Sequence, residues 1–427
     1  MPFYLFLLTF LLLLAIRVPV AVAMLTPSLL YLWFADGVTL ALIGQRMTAG
    51  VNSFPILAVP LFILLAQVAN ASGITDRLFD AAESLIGWIR GGLAYVNISV
   101  SFAFSWMSGI AIADAAGLGS FVVKAMTDRG YDERFSTGLT GASALIGPIM
   151  PPSIPAIIYA VSTGVSLGAL FVAGIVPAVV LVVVLSLSVY LLLRKKSALR
   201  QPRQSPRAIT KSVGRAFPPL LTPVIILGSI LAGIVTPTEA AALGVVYLLL
   251  LALFYRALSP KELWGCFSRT AHTTAVVMFI VAAASMFSWV MAREQVPQAL
   301  TEAILGVTTS PWIFLLLVNV LLLMVGMVLT PLPAILILAP IFLPLLPAFD
   351  IHPLHFGIVM IFNLMVGLLT PPVGMILYVL SSAADVSVGS VVRGALQFLP
   401  GLAITLLFLT YVPAISLWLP RLLGLAQ

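Results

Sequence analysis

Long apolar runs, each closed by a short polar or basic connection, recur from one end of the chain to the other. The runs over 2–16, 19–34, 54–72, 217–235, 238–255 and 273–291 are nearly free of ionisable residues. A hydrocarbon core about 30 Å thick is crossed by about 20 apolar residues in one helix, so this pattern predicts membrane-spanning α-helices. No Lys or Arg precedes the first run and apolar sequence resumes at Pro19; a retained helix is predicted there rather than a signal peptide. Amphipathic connections follow the first two runs of each half, carrying Arg46 in one and Arg256, Lys261 and Arg269 in the other.

Two further stretches in each half break the plain span pattern. The first, at about 94–130, is interrupted by glycine and polar residues between arms of about 14 residues, roughly 21 Å each. That is short of a full crossing and predicts a re-entrant helical hairpin. The next, 134–164, is long enough to cross but is interrupted between Gly147-Pro148 and Pro152. The second half repeats the scheme with a hairpin at about 311–349 and a broken helix at 354–382, interrupted from Gly367 to Gly374.

Other features recur in the same order at a nearly constant offset. Pro19 matches Pro237, Met107-Ser108-Gly109 matches Met324-Val325-Gly326, Asp132 matches Asp350, Pro151-Pro152 matches Pro371-Pro372, and Tyr159 matches Tyr378. Such duplication predicts two repeats, 1–193 and 217–427, joined by a basic linker at 194–216. From Arg194 to Arg215 the chain holds eight basic residues and no acid, which places the linker in the cytoplasm. With about five crossings per half, both termini fall outside and the repeats have opposite orientation. The first hairpin, flanked by Arg90, Lys124, Arg129 and Arg134, enters from the cytoplasm; the second, with no Lys or Arg between Ser310 and Leu380, enters from outside.

Composition sharpens this picture. Of 427 residues 61% are hydrophobic and 8% charged, more apolar surface than a soluble core of this size uses. The formal charge of +7 sits in short connections and reports topology rather than nucleic-acid binding. One cysteine, Cys266, and three histidines, His272, His352 and His355, supply neither a disulfide framework nor a thiolate metal site. His352 and His355 read as ordinary interfacial residues. No nucleophile with its base, metal cluster or phosphate loop supports an enzyme.

The breaks carry the chemistry. A helix interrupted within the bilayer leaves backbone groups without partners, at several kcal/mol each in hydrocarbon, so it persists only where buried or lining a wet cavity. Breaks at matching places in two inverted repeats point to a midplane site, where unwound carbonyls hold Na⁺ and helix N-termini face an anion. Na⁺ is expected near Ser108, Gly109, Gly147, Pro148 and Met150, and near Gly326, Thr330, Gly367, Thr370 and Pro371. The substrate is expected near Ser108, Gly109, Asp114, Pro151, Ser153, Thr330 and Pro372. Asp114, at membrane depth, either neutralises a cation or caps the second arm of its hairpin. Glu239 fits a capping box, and Arg46, Arg77 and Arg90 fit snorkelling at interfaces.

At Gly73-Ile74-Thr75-Asp76-Arg77-Leu78, Gly87-Trp88-Ile89-Arg90-Gly91-Gly92-Leu93, Gly130-Tyr131-Asp132, Gly147-Pro148-Ile149-Met150-Pro151-Pro152-Ser153, Thr236-Pro237-Thr238-Glu239-Ala240-Ala241 and Thr370-Pro371-Pro372-Val373-Gly374, the chain closely resembles the large permease subunit of tripartite ATP-independent periplasmic (TRAP) transporters. The resemblance implies an all-α polytopic inner-membrane protein working as an elevator, in which hairpins and broken helices carry a small organic acid and Na⁺ past a scaffold. It also implies two partners, a four-helix small membrane subunit and a periplasmic substrate-binding protein, and no ATP hydrolysis. Two departures stand out. Ile110 replaces a family serine, removing a hydroxyl, and Thr330-Pro331 stands where the family often carries an acid, so backbone carbonyls take a larger share of coordination. The rival readings are a stand-alone Na⁺/dicarboxylate symporter and a subunit of a proton-pumping respiratory complex, the latter relying on intrahelical ionisable groups that these spans almost lack.

Overall fold

The computed structural model describes residues 3–34, 41–194 and 201–426, and among them all regular structure is helical. The first half runs α1 (Phe3–Ala15), α2 (Val20–Phe34), α3 (Ala41–Val51), a 3-10 turn at Phe54–Leu57 leading into α4 (Ala58–Ala71), α5 (Ile74–Ile86), α6 (Gly92–Ser108), α7 (Ala111–Thr127), α8 (Glu133–Ala144), α9 (Ile154–Thr163) and α10 (Leu167–Leu193). The second runs α11 (Pro206–Leu231), α12 (Pro237–Phe254), α13 (Pro260–Arg293), α14 (Val296–Val307), α15 (Pro311–Val328), α16 (Pro331–Phe342), a 3-10 turn at Leu343–Phe349, α17 (Pro353–Leu368), α18 (Met375–Ala384), α19 (Val388–Tyr411) and α20 (Ala414–Leu422).

Local chemistry sets many of these boundaries. Asp132 accepts hydrogen bonds from the Arg134 and Phe135 amides to start α8. Thr236 with Glu239 and Ser259 with Glu262 form capping boxes at α12 and α13, each followed by proline at the first turn, where its missing N–H costs nothing. Eight helical segments among the described residues are long and apolar enough to cross a bilayer. Their outward faces carry side chains such as Leu253, Phe254 and Val183, exposed at 75%, 82% and 60%, which suits contact with lipid.

Several expectations change. The basic linker is shorter than 194–216, because Pro206 already opens α11 and Arg207, Lys211 and Arg215 ride on that helix; Lys195, Lys196 and Arg200 lie outside the described residues. The connection carrying Lys261 and Arg269 is not separate from the span at 273–291. Both belong to the 34-residue α13, whereas the first half is broken at the corresponding place by Asn52-Ser53-Phe54-Pro55 ahead of α4. α1 and α2 have 13 and 15 residues, fewer than the roughly 20 of a perpendicular crossing. The arms of the first hairpin have 17 residues each rather than 14, about 26 Å, so length alone does not mark them as re-entrant.

The register between halves also shifts. Helices begin at Glu133 and Pro353, at Ile154 and Met375, and at Leu167 and Val388, each time 220 or 221 positions later. On that register the tip at Gly109 corresponds to Leu329, and Gly326 lies within α15 before the tip. The match of Met107-Ser108-Gly109 to Met324-Val325-Gly326 is therefore three residues out. His355 is not interfacial. It is buried, with Nδ1 2.8 Å from Ser416 Oγ and Nε2 3.2 Å from the Thr410 carbonyl oxygen, while His352 accepts from the Leu354 amide at the start of α17.

The helices preceding the two breaks form the centre. Every residue from Phe135 to Ala144 of α8 and from Leu354 to Leu368 of α17 is buried. The hydroxyls on α8 find partners inside: Asn97 donates to Thr140 Oγ1 at 2.8 Å, and Ser101 donates to Ser143 at 3.0 Å. α7 packs against α8 and α18, and α16 packs against α9 and α13, so each hairpin's second arm touches the broken helix of the other half.

Candidate cation and substrate site

The first hairpin turns at Gly109, whose φ of +65° closes α6 in the left-handed region open to glycine. Ser108 and Asp114 flank this turn at 2% and 1% exposure. The Ser108 hydroxyl donates to Asp114 Oδ1, and Asp114 Oδ2 is buried without a hydrogen-bond partner. The residue preceding α7 is Ile110, and no side chain caps that helix. The capping reading of Asp114 is thus set aside, leaving a carboxylate with one oxygen still to be satisfied.

The break between α8 and α9 lies directly against this tip. A Cβ on Gly147 would stand 2.4 Å from Asp114 Oδ2, and one on Gly109 would stand 2.5 Å from the Pro152 carbonyl oxygen. Pro148, Met150, Pro151 and Ser153 are all buried around it. Ser153 is already committed: its hydroxyl donates to the Pro148 carbonyl and accepts from the Ala156 amide, closing the break and starting α9. The Pro151-Pro152 peptide is cis.

The second tip and break meet in the same manner but with different chemistry. Gly326 on α15 and Gly367 on α17 are face to face; a Cβ on Gly367 would lie 2.5 Å from the Gly326 carbonyl carbon. The Gly374 amide donates to the Met327 carbonyl at 3.3 Å, and the Thr370 hydroxyl donates to the Val366 carbonyl at 2.7 Å. Thr330 precedes α16 without donating a cap, and the Pro371-Pro372 peptide is cis. Here no carboxylate is present, and Pro371 is half-buried and Pro372 exposed where Pro151 and Pro152 are buried.

Both tips and both breaks converge on one cavity of about 220 Å³. The first half lines it with Ile110, Ile112, Pro148 and Pro155, and the second with Thr330, Leu332, Met365 and Leu368. Its remaining wall is α13, through Thr273, Val276, Val277 and Ile280. Of the sequence-predicted residues, Pro148 and Thr330 line this cavity. Ser108, Gly109, Asp114, Gly147 and Met150 gather behind the first tip, and Gly326, Gly367, Thr370 and Pro371 behind the second; Pro151, Ser153 and Pro372 are not among the lining residues. The α13 wall was missed in the sequence, where the polar pair Thr273-Thr274 at the head of an apolar run was its one signal. Among the described residues no group of three or more His, Cys, Asp or Glu could hold a metal ion. The oxygens on offer at the tips are hydroxyls, carbonyls and the Asp114 carboxylate, the hard donors that alkali cations take.

Two hairpin tips and two broken helices meeting at one cavity define an α-helical membrane transporter. The fold is shared with the YdaH transporter of Alcanivorax borkumensis, at a TM-score of 0.61 and 15% identity, over 93% of this chain and 91% of that one. A family model described as the DctM component of the tripartite ATP-independent periplasmic transporters matches residues 7–415, and the chain belongs to that family. It is 41% identical to the sialic acid TRAP transporter large permease protein SiaM of Vibrio cholerae, over 96% of both chains. It is 39% identical to the C4-dicarboxylate TRAP transporter large permease protein DctM of Pseudomonas aeruginosa, over 87% of this chain and 88% of that one. The isethionate TRAP transporter permease protein DctMQ of Oleidesulfovibrio alaskensis is 36% identical over 96% of this chain but only 65% of its own length. The chain is thus a multi-pass TRAP transporter large permease and not an enzyme; substrates named for its relatives vary. Family membership removes the respiratory-complex and stand-alone symporter readings.

Proposed function

We propose that this permease carries out Na⁺-coupled uptake of a small organic acid across the bacterial inner membrane by an elevator movement. The observation that carries the reading is the Asp114 carboxylate, buried with an unsatisfied oxygen between a hairpin tip and a helix break. A buried carboxylate in that state is costly unless a cation completes it, and Ser108, Gly109 and the Gly147–Met150 turn bring oxygens to the same place. The second tip, with Thr330, Thr370 and the carbonyls around Gly326 and Gly367, would take a further Na⁺ through neutral oxygens alone.

The hairpins are read as re-entrant because their tips end on buried breaks within the protein. The cavity between those tips and α13 is the substrate position, and α13 belongs to the stationary scaffold past which the hairpins and broken helices move. The basic stretch entering α11 supports a cytoplasmic linker, with both termini periplasmic. Two relatives of which this chain spans only 68% and 65%, the second named DctMQ, support a small membrane subunit as partner, and the tripartite family supports delivery by a periplasmic binding protein.

Proteoliposomes holding the permease with its small subunit test this directly. Labelled sialic acid, a C4-dicarboxylate, 2,3-diketo-L-gulonate and isethionate are offered with and without binding protein, under an imposed Na⁺ or H⁺ gradient. Uptake of one acid that requires both Na⁺ and the binding protein is expected. Uptake driven by H⁺ alone would overturn the cation assignment, and uptake without binding protein would overturn the delivery step.

A further inference from the structure

A polar pocket that shares no lining residue with the cavity between the hairpin tips lies where α5, α11 and the end of α12 meet. About 280 Å³ in volume, it is lined by Arg77, Asp80, Ser212, Arg215 and Tyr255. The Arg77 guanidinium lies over the Tyr255 ring at 3.6 Å. Its Nη1 and the Tyr255 hydroxyl are both shielded from solvent and both lack a hydrogen-bond partner. Two orphaned donors at one pocket call for an acceptor, since a buried donor left unmatched costs about 1–3 kcal/mol. The one acid, Asp80, makes no ion pair with either arginine; burial and then Asp76 push its carboxyl up, against the pull of Arg215. The pocket's lining therefore carries two guanidinium groups and one carboxyl, with exposed Asp76 beside it; the charge surplus is supplied by Arg207 and Lys211 further along α11.

The surroundings identify the ligand's source. Arg207, Lys211 and Arg215 recur every fourth residue along one side of α11 and are exposed. Immediately after Arg215 the exposed side chains of α11 become apolar, with Phe217 at 59% and Val224 at 58%. α12 runs beside that segment, tied by the Tyr247 hydroxyl donating to the Pro218 carbonyl at 2.8 Å, and it exposes Leu250, Leu253 and Phe254 next to Tyr255. A headgroup pocket above an apolar wall is the shape of a lipid, and basic side chains at the polar margin favour an anionic one.

We infer that Arg77, Arg215 and Tyr255 form a binding site for the phosphate of an anionic phospholipid, whose acyl chains lie along α11 and α12.

Native mass spectrometry of the full-length protein in mixed micelles, with equal phosphatidylglycerol and phosphatidylcholine, tests it. Wild-type protein is expected to retain phosphatidylglycerol preferentially, and inorganic phosphate is expected not to displace it. Arg215→Gln, at an exposed position, should cut that preference by about fivefold, the worth of one basic side chain near an anionic surface, and Tyr255→Phe should weaken it. Arg421→Gln, on an exposed residue of α20, should leave it unchanged. Equal retention of the two lipids, or an Arg215→Gln effect matched by Arg421→Gln, would overturn the site. Displacement by inorganic phosphate would overturn the lipid and leave a free-anion pocket.

Discussion

Gly147 and Asp114, on different elements of the first half, are so close that a methyl group on the glycine would stand 2.4 Å from the carboxylate's unpartnered Oδ2. The helix break and the hairpin tip are therefore one structure, and any side chain at position 147 would displace the carboxylate. Gly147→Ala is expected to raise the Na⁺ concentration for half-maximal uptake by about tenfold, the consequence of about 1–3 kcal/mol of overpacking. Na⁺-dependent uptake in proteoliposomes measures it, with membrane insertion unaffected. An unchanged Na⁺ dependence would remove this gap from the cation path.

Asp114→Asn keeps the side chain's shape and removes its charge. A unit charge about 4 Å from a cation is worth about 4 kcal/mol in a protein setting, so uptake at fixed Na⁺ should fall by about a hundredfold or more. Ser108→Ala removes one hydrogen bond to the carboxylate, worth about 1.5–3 kcal/mol, and should fall by about tenfold. Equal effects of the two variants would mean that Asp114 acts only as a partner for Ser108.

Gly326 and Gly367 let α15 and α17 approach until main-chain atoms touch. Gly367→Ala would push a methyl to 2.5 Å from a backbone carbonyl carbon, which cannot rotate away. Thermal unfolding in detergent should shift down, and Na⁺-driven uptake should be lost. Retention of both would show that the crossing opens without penalty.

Asn319, Asn363 and Thr410 form a chain buried between α15, α17 and α19. Asn363 donates to Asn319 Oδ1 at 2.7 Å and Asn319 donates to Thr410 Oγ1 at 2.9 Å. Asn319→Leu leaves buried polar atoms behind and should cost about 1–3 kcal/mol of stability. Asn319→Leu with Asn363→Leu removes donor and acceptor together and should recover part of it. A double variant no more stable than the single one would mean that packing, not pairing, sets the cost.

Thr370→Val, near-isosteric and lacking the hydroxyl that donates to Val366, separates side-chain from main-chain coordination at the second break. Retained Na⁺ dependence is expected, with main-chain carbonyls carrying that site; a raised Na⁺ requirement would assign the hydroxyl as a ligand.

The helical character of the chain and the places where its helices are interrupted were legible in the sequence, because each depends on local rules. Apolar length predicts a span, Gly-Pro clusters interrupt helices whatever surrounds them, and Asp132, Thr236 and Ser259 announce helix starts. The same local rules misjudged boundaries where tertiary contacts outweigh them. The linker's basic residues join α11 because Ser205 caps it and Pro206 fits its first turn, and α13 runs unbroken through Arg269, whose Nε donates to Gln67 Oε1 at 3.0 Å. What the sequence alone determined is therefore the class of protein, its helical inventory and the places where helices fail. Which oxygens lie together was decided only in three dimensions. Asp114 and Gly147 are remote along the chain, the two tips share a cavity only because α13 walls it, and Arg77 meets Tyr255 only where α5 packs on α11. Distances of that kind follow from packing between elements, which periodicity and propensity do not encode.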